Sequence, residues 1–191
     1  MEKSNIDEKI KLLTGSGMWH TQEVEGLPSV HLSDGPHGLR KQEEKERQNN
    51  VSLVSTCYPT ASALACSWDV TAAERLGRAV AKEAWNADVA VLLGPGINMK
   101  RSPLCGRNFE YFSEDPFLAG RLGAAYVSAA QGEDVAVSLK HFAANNQETN
   151  RQTSNSQIDE RALREIYLSA FEYVVKTARP ATVMASYNRL N

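Results

Sequence analysis

Short, near-continuous apolar runs recur along the chain at residues 30–32, 63–65, 89–93, 135–139 and 182–185, and segments with helix signals lie between most of them. A strand with one face in water alternates apolar and polar residues, whereas a strand covered on both faces reads as an unbroken apolar run. Alternation of such strands with helices predicts an α/β fold built on a parallel sheet. In a parallel βα barrel the functional groups sit at the carboxyl ends of the strands. The polar residues that follow each run are therefore the ones to weigh.

The intervening segments carry specific start and stop signals. Ile6, Ile10 and Leu13 recur at helical spacing, which predicts an opening helix from about Ser4 to the Gly15/Gly17 breakers with its stripe in the core. Thr71 and Glu74 have capping-box spacing, with Leu76 and Val80 following on one face. Asp115 before Pro116 is a start signal, because Asp accepts from free amides and Pro fits the first helical position; Gly132 is the matching stop. The clearest helix spans residues 159–179, with Leu163, Ile166, Tyr167, Ala170, Phe171, Val174 and Val175 on its apolar face before Pro180. The polar, densely charged run at residues 41–50 reads as a solvated loop.

Length bounds the architecture. A complete eightfold barrel takes about 250 residues, so a chain of 191 is expected to hold only the amino-terminal portion of one. Residues 1–191 thus read as a single, incomplete barrel domain, with the rest of the barrel and any later domains absent. A net charge of -2 without a basic stripe argues against a nucleic-acid binder, and no nucleic-acid partner is expected. No stretch approaches the roughly 20 apolar residues of a membrane span, and the charged first eleven residues lack the apolar centre of a secretion signal. Three cysteines, Cys57, Cys66 and Cys105, give an odd number without a C-x-x-C pair. A disulfide framework is not expected and a reducing cytoplasm is.

Candidate chemistry gathers after the runs. The first is followed by Ser33-Asp34-Gly35-Pro36-His37-Gly38-Leu39-Arg40. Asp34 reads equally as a carboxylate aimed at a ligand or as a turn residue bonding its own backbone. His31 and His37 flank it, but a strand and turn give no helical register and no fourth ligand is evident, so no metal site is expected. Residues 94–115 form a long irregular segment with Asn98, Lys100, Arg101, Arg107, Glu110 and Glu114. Loops of that length in compact domains are usually functional, although these charges can also simply pair with each other. The fourth run delivers Lys140 and His141 side by side, an ammonium and an imidazole able to bond hydroxyl groups. A buried lysine needs a partner, and Glu148 is a candidate. Tyr187 follows the last run, as packing or as a hydroxyl in a pocket.

The strings LSDGPHGLR at 32–40, CGRNFEYFSEDP at 105–116, KHFAANNQETNR at 140–151 and MASYN at 184–188 together resemble glycoside hydrolase family 3 β-glucosidases, in the family's order and over essentially the whole chain. The resemblance implies the amino-terminal part of a TIM-like barrel. It implies that Asp34 clamps the sugar hydroxyls remote from the scissile bond with Arg40 close by. Arg107, Lys140, His141 and Arg151 would form the remaining polar wall, and Tyr187 would stand beside the nucleophile. A carboxylate accepts two hydroxyl hydrogens and the cations donate, which suits those roles.

Within the family, N-acetylglucosaminidases continue after Lys-His-Phe with glycine and histidine, and xylosidases tend to lack the Asp-Gly-Pro turn. The resemblance therefore implies a β-glucoside or oligosaccharide as the small-molecule partner, with release of nonreducing-end glucose. Retaining glycosidases use two carboxyl groups about 5 Å apart and no cofactor. In the resembled family the nucleophile is an aspartate in a Ser-Asp-Trp type motif at the next strand end, and the acid/base glutamate comes from a later domain. Neither motif occurs up to Asn191, so the nucleophile and the acid/base are expected beyond Asn191 and no residue here is assigned to either role. Glu110, Glu114 and Glu148 are expected to be structural. This chain would bind sugar and require the remainder of the polypeptide to act. The alternative is a noncatalytic carbohydrate-binding or interaction protein derived from the same fold.

Overall fold

A computed structural model describes residues 6–42 and 51–191; residues 4–5 of the expected first helix and most of the charged run at 41–50 lie outside them. Four parallel strands form the main sheet in the order β1-β2-β3-β5: β1 (Leu32–Ser33), β2 (Val91–Leu92), β3 (Ala136–Phe142) and β5 (Thr182–Ala185). Spatial order follows chain order, and each crossover is helical. Between β1 and β2 lie α2 (Ala61–Cys66) and α3 (Val70–Asn86). α4 (Pro116–Gln131) joins β2 to β3. β3 reaches β5 through α5 (Glu160–Ala162), a π-helical turn (Leu163–Tyr167) and α6 (Ser169–Ala178). That is the βα repeat of part of a barrel. A short parallel pair, β4 (Asn155–Ser156) with β6 (Arg189–Leu190), is not evident from apolar runs, because neither piece is apolar.

The run at 63–65 is a correction: it lies in α2, so the sheet has four strands where five were expected. Thr60 Oγ1 accepts from the Ala63 amide at 3.2 Å, and Ala61, Leu64 and Ala65 are buried at helical spacing. Three small apolar residues cannot distinguish the two periods; the cap decides. The start of α3 also differs. Asp69, not Thr71, is its N-cap, with Oδ1 accepting from the Thr71 amide at 2.8 Å. α1 (Ile6–Lys11) forms, but it buries none of its residues, and Ile6, Ile10 and Leu13 are exposed. Helical spacing sets which residues share a face, not whether anything covers it.

Elsewhere the signals hold. Asp115 accepts from the Phe117 and Leu118 amides at 3.0 and 3.2 Å, Pro116 opens α4, and Gly132 is its C-cap. Asp159 caps α5 through the Ala162 amide at 2.9 Å, and Arg179 ends α6 in the left-handed conformation just before Pro180. Of the apolar face read from sequence, Ala170, Phe171 and Val174 are buried, while Ile166 and Val175 are exposed, contrary to that reading.

α3, α4 and α6 pack side by side behind the strands. Gly77 lets α3 approach α4 closely, since a Cβ there would lie 2.5 Å from the Tyr126 carbonyl oxygen. The core between helices and sheet contains Val80, Ala84, Leu92, Leu122, Val137, Leu139 and Val174. Burying each larger side chain contributes about 1.5–3 kcal/mol, and the resulting rigidity fixes where the strand ends point. No described helix is long and apolar enough to cross a membrane.

Candidate functional site

β1 hands the chain directly to a tight turn. The Arg40 amide donates to the Asp34 carbonyl at 2.8 Å and closes it. Gly38 adopts φ +143°, and a Cβ at that position would collide with the Thr56 carbonyl, so only glycine fits. The turn is thus closed by backbone, which leaves the Asp34 carboxylate available to reach Lys140 Nζ at 3.4 Å.

Lys140 and His141 lie within β3, which runs three residues beyond the apolar stretch seen in the sequence, and the pairing register with β5 shifts between Lys140 and Phe142. Both side chains are buried. Asn98, from the loop after β2, clips His141 on both backbone sides: its Oδ1 accepts from the His141 amide at 2.8 Å and its Nδ2 donates to the His141 carbonyl at 2.9 Å. The long loop between β2 and α4 is therefore built onto the strand end. Its 3-10 turn (Asn108–Glu110) carries Glu110 inward.

Asp34, Arg40, Arg107, Lys140 and Arg151 line one cavity of about 640 Å³, together with Pro36, His37, Phe109, Glu110 and Glu148. Its charges are paired. Glu110, 4% exposed, accepts from Arg107 and lies 3.3 Å from Lys140 Nζ; Arg151 donates to Glu148 at 2.9 Å. Lys140 thus pairs with Asp34 and Glu110, not with the Glu148 expected from sequence. Burial alone would lower the Arg107 pKa, but the bonded Glu110 carboxylate more than offsets this and the net shift is upward. Three carboxylates (Asp34, Glu110, Glu148) form ion pairs with Lys140, Arg107 and Arg151, and Arg40 adds a fourth cation to the wall. The wall is rich in donors and acceptors but close to neutral, which suits an uncharged polyhydroxyl ligand better than an ion.

His141 and Tyr187 are not on the wall of this cavity. They adjoin it through other residues. Tyr111 Oη lies 3.0 Å from His141 Nδ1, and Asn145 Nδ2 bonds both Tyr111 Oη at 2.9 Å and Glu148 Oε1 at 3.1 Å. The Arg151 guanidinium stacks over the Tyr187 ring at 4.8 Å, and Tyr187 is largely exposed. Burial, reinforced by the positive charges of Arg107, Lys140 and Arg151, pushes the His141 pKa down to about 2, so the imidazole is neutral.

Asn191, the position beyond which the sequence reading puts both catalytic carboxylates, is also off the cavity wall. Its role here is structural: Oδ1 accepts from the Ile158 amide at 2.8 Å, and its own amide donates to the Ser156 carbonyl at 3.2 Å, which ties the end of β6 to β4 and to the segment before α5.

Sequence reasoning sets Glu110 and Glu148 aside as structural and passes over Phe109, Tyr111 and Asn145. The i,i+3 spacings Arg107/Glu110 and Glu148/Arg151 are the signal that marks the two carboxylates as partners of site cations. Tyr111 and Asn145 carry no comparable signal. His31 faces His20, and His37 faces Phe109. Among the described residues no group of His, Cys, Asp or Glu is arranged to hold a metal ion. A second cavity of about 750 Å³ is lined by Phe142, Leu168, Phe171, Val175, Val183 and Ala185 together with Arg164 and Glu172. It is mostly apolar.

Comparison with known proteins agrees with the fold. The profile described as "Glycosyl hydrolase family 3 N terminal domain" matches residues 36–191. Thermostable beta-glucosidase B of Acetivibrio thermocellus is 52% identical over 195 residues, covering 100% of this chain and 26% of that protein. An exo-alpha-(1->6)-L-arabinopyranosidase of Bifidobacterium longum is 50% identical over 191 residues, covering 97% of this chain and 25% of its own length. Among solved structures, the GH3 beta-glucosidase of Bifidobacterium adolescentis matches with a TM-score of 0.91 at 49% identity, over 98% of this chain and 27% of that one. Beta-glucosidase 3B of Thermotoga neapolitana in complex with glucose matches with a TM-score of 0.91 at 40% identity, over 98% and 28%. The chain spans about a quarter of the length of these relatives. On motifs, fold and matches alike, it belongs to glycoside hydrolase family 3 and corresponds to the N-terminal part of the family's β-glucosidases.

Proposed function

We propose that the 640 Å³ cavity holds the nonreducing-end glucose of a β-glucoside, and that this chain is the sugar-binding wall of a retaining β-glucosidase. The observation that carries this reading is the meeting of Asp34, Arg107, Lys140 and Arg151, from three separate stretches of the sequence, on one cavity with nearly balanced charge. The Asp34 carboxylate, 32% exposed, accepts from two sugar hydroxyls while Lys140, Arg107, Arg151 and Arg40 donate. His141 and Tyr187 stand off the wall, behind and beside these contacts, held to it through Tyr111 and Arg151.

Glu110 and Glu148 are engaged with Arg107, Lys140 and Arg151, so neither is free to attack an anomeric carbon. The nucleophile and the acid/base are carboxylates of polypeptide beyond Asn191, acting by double displacement without metal or organic cofactor. The arabinopyranosidase relative supports a second reading, an α-L-arabinopyranoside as substrate. An arabinopyranose lacks the exocyclic hydroxymethyl that the Asp34 carboxylate suits, which favours the glucoside. Steady-state kinetics of the complete polypeptide on aryl β-D-glucoside and aryl α-L-arabinopyranoside decide between them. The glucoside is expected to have the higher kcat/KM; the reverse order would overturn the glucoside reading, and turnover of neither would favour a noncatalytic sugar-binding role.

A further inference from the structure

The hydrogen bonds around His141 determine which of its nitrogens carries the proton. Glu148 is a carboxylate bonded to Arg151 through Oε2, so its other oxygen, Oε1, can only accept. The Asn145 atom that faces Oε1 must then be the amide nitrogen. That same nitrogen lies 2.9 Å from Tyr111 Oη. The Tyr111 oxygen therefore accepts from Asn145, and its own proton points to its other neighbour, His141 Nδ1, at 3.0 Å.

Tyr111 is fully buried, and burial raises its pKa well above the ordinary tyrosine value, so the phenol keeps its proton. Were His141 protonated on Nδ1 instead, the Tyr111 hydroxyl hydrogen would be buried without an acceptor among the described residues, which native interiors avoid. A neutral ring that accepts at Nδ1 carries its single hydrogen on Nε2.

We propose that Glu148, Asn145 and Tyr111 are positioning residues that hold His141 as the Nε2–H tautomer, making it a fixed hydrogen-bond donor. The chain runs from the Glu148 carboxylate through the Asn145 amide and the Tyr111 hydroxyl to Nδ1. One carboxylate thereby orients both Arg151, through Oε2, and His141, through Oε1. That the Nε2–H donates to a sugar hydroxyl rests on the function proposed above; the tautomer does not.

Long-range proton–nitrogen correlation spectra of the 191-residue chain labelled with ¹⁵N-histidine test this, with His141 assigned by the signals missing in His141→Gln. The expected result is a pyrrole-type Nε2 and a pyridine-type Nδ1. Tyr111→Phe keeps the ring but removes the hydroxyl, and is expected to turn the single tautomer into a mixture. A proton on Nδ1 in the parent chain, or an unchanged tautomer in a folded Tyr111→Phe chain, would overturn the proposal. Should Tyr111→Phe not fold, the parent spectrum decides by itself. D-glucose added to the labelled chain is expected to shift the Nε2 signals. An Nε2–H tautomer that glucose leaves unmoved would uphold the relay and count against the sugar reading alone.

Discussion

His141 ties the stability of the molecule to pH. In the fold its pKa is held down to about 2, whereas in the unfolded chain it takes up a proton below its ordinary 6.5. Between those values the unfolded state binds more protons, so stability from this group is present above 6.5 and is lost as pH falls through the window, by up to about 1.4 kcal/mol per pH unit. Urea unfolding measured across that range should show an acid slope that is shallower in His141→Gln. Equal slopes in both chains would place the burial of His141 in doubt. At this scale the sequence points to the cavity-lining residues better than to their partners. Asp34, Arg107, Lys140 and Arg151 are readable mainly through the motifs that resemble the family, since taken alone Asp34 reads equally as a turn residue and the loop charges as partners of each other. The Lys140 partner is not: Glu148 is the near candidate, eight positions away in the chain, while the true partners, Asp34 and Glu110, are brought in from 106 and 30 positions away by the fold.

At the scale of elements, the close approach of α3 and α4 at Gly77 sets the lateral packing of the helices and hence of the strand ends they cover. Alanine has the better helix propensity by about 1 kcal/mol, but its Cβ would sit 2.5 Å from the Tyr126 carbonyl oxygen, and overpacking of that kind costs about 1–3 kcal/mol. The clash is with backbone and cannot be relieved by a rotamer change, so Gly77→Ala should lower the denaturant midpoint. A raised midpoint would contradict the packing described. Long elements with caps are legible in advance: α4 between Asp115 and Gly132, and the helical stretch from Asp159 to Arg179. Short ones are not. The run at 63–65 is lost to α2 because a three-residue window carries no period, and the β4–β6 pair escapes notice because its strands are polar and held by tertiary context such as the Asn191 bonds to Ser156 and Ile158. The π-helical turn at Leu163–Tyr167 has no local signal that we recognise.

For the whole molecule, four parallel strands with β5 at one edge leave backbone and apolar side chains open to association. Phe142, Val175 and Val183 are each more than two-fifths exposed beside that edge and line the apolar groove. Unpaired edges and apolar grooves recruit other chains, so sedimentation of residues 1–191 should show concentration-dependent self-association. A monomer at all concentrations would count against an open edge. We also expect no β-glucosidase turnover from this chain alone, because its site carboxylates are committed to cations; turnover by the isolated chain would require a nucleophile among them. The central claim concerns the cavity itself, and calorimetric titration of D-glucose into residues 1–191 and into Asp34→Ala addresses it most directly. We predict saturable binding to the parent chain, weakened in Asp34→Ala by the loss of a charged hydrogen bond, about 1.5–3 kcal/mol or roughly one to two orders of magnitude in Kd. Binding of equal strength by both chains, or by neither while both remain folded, would contradict the assignment of this cavity to a glucose.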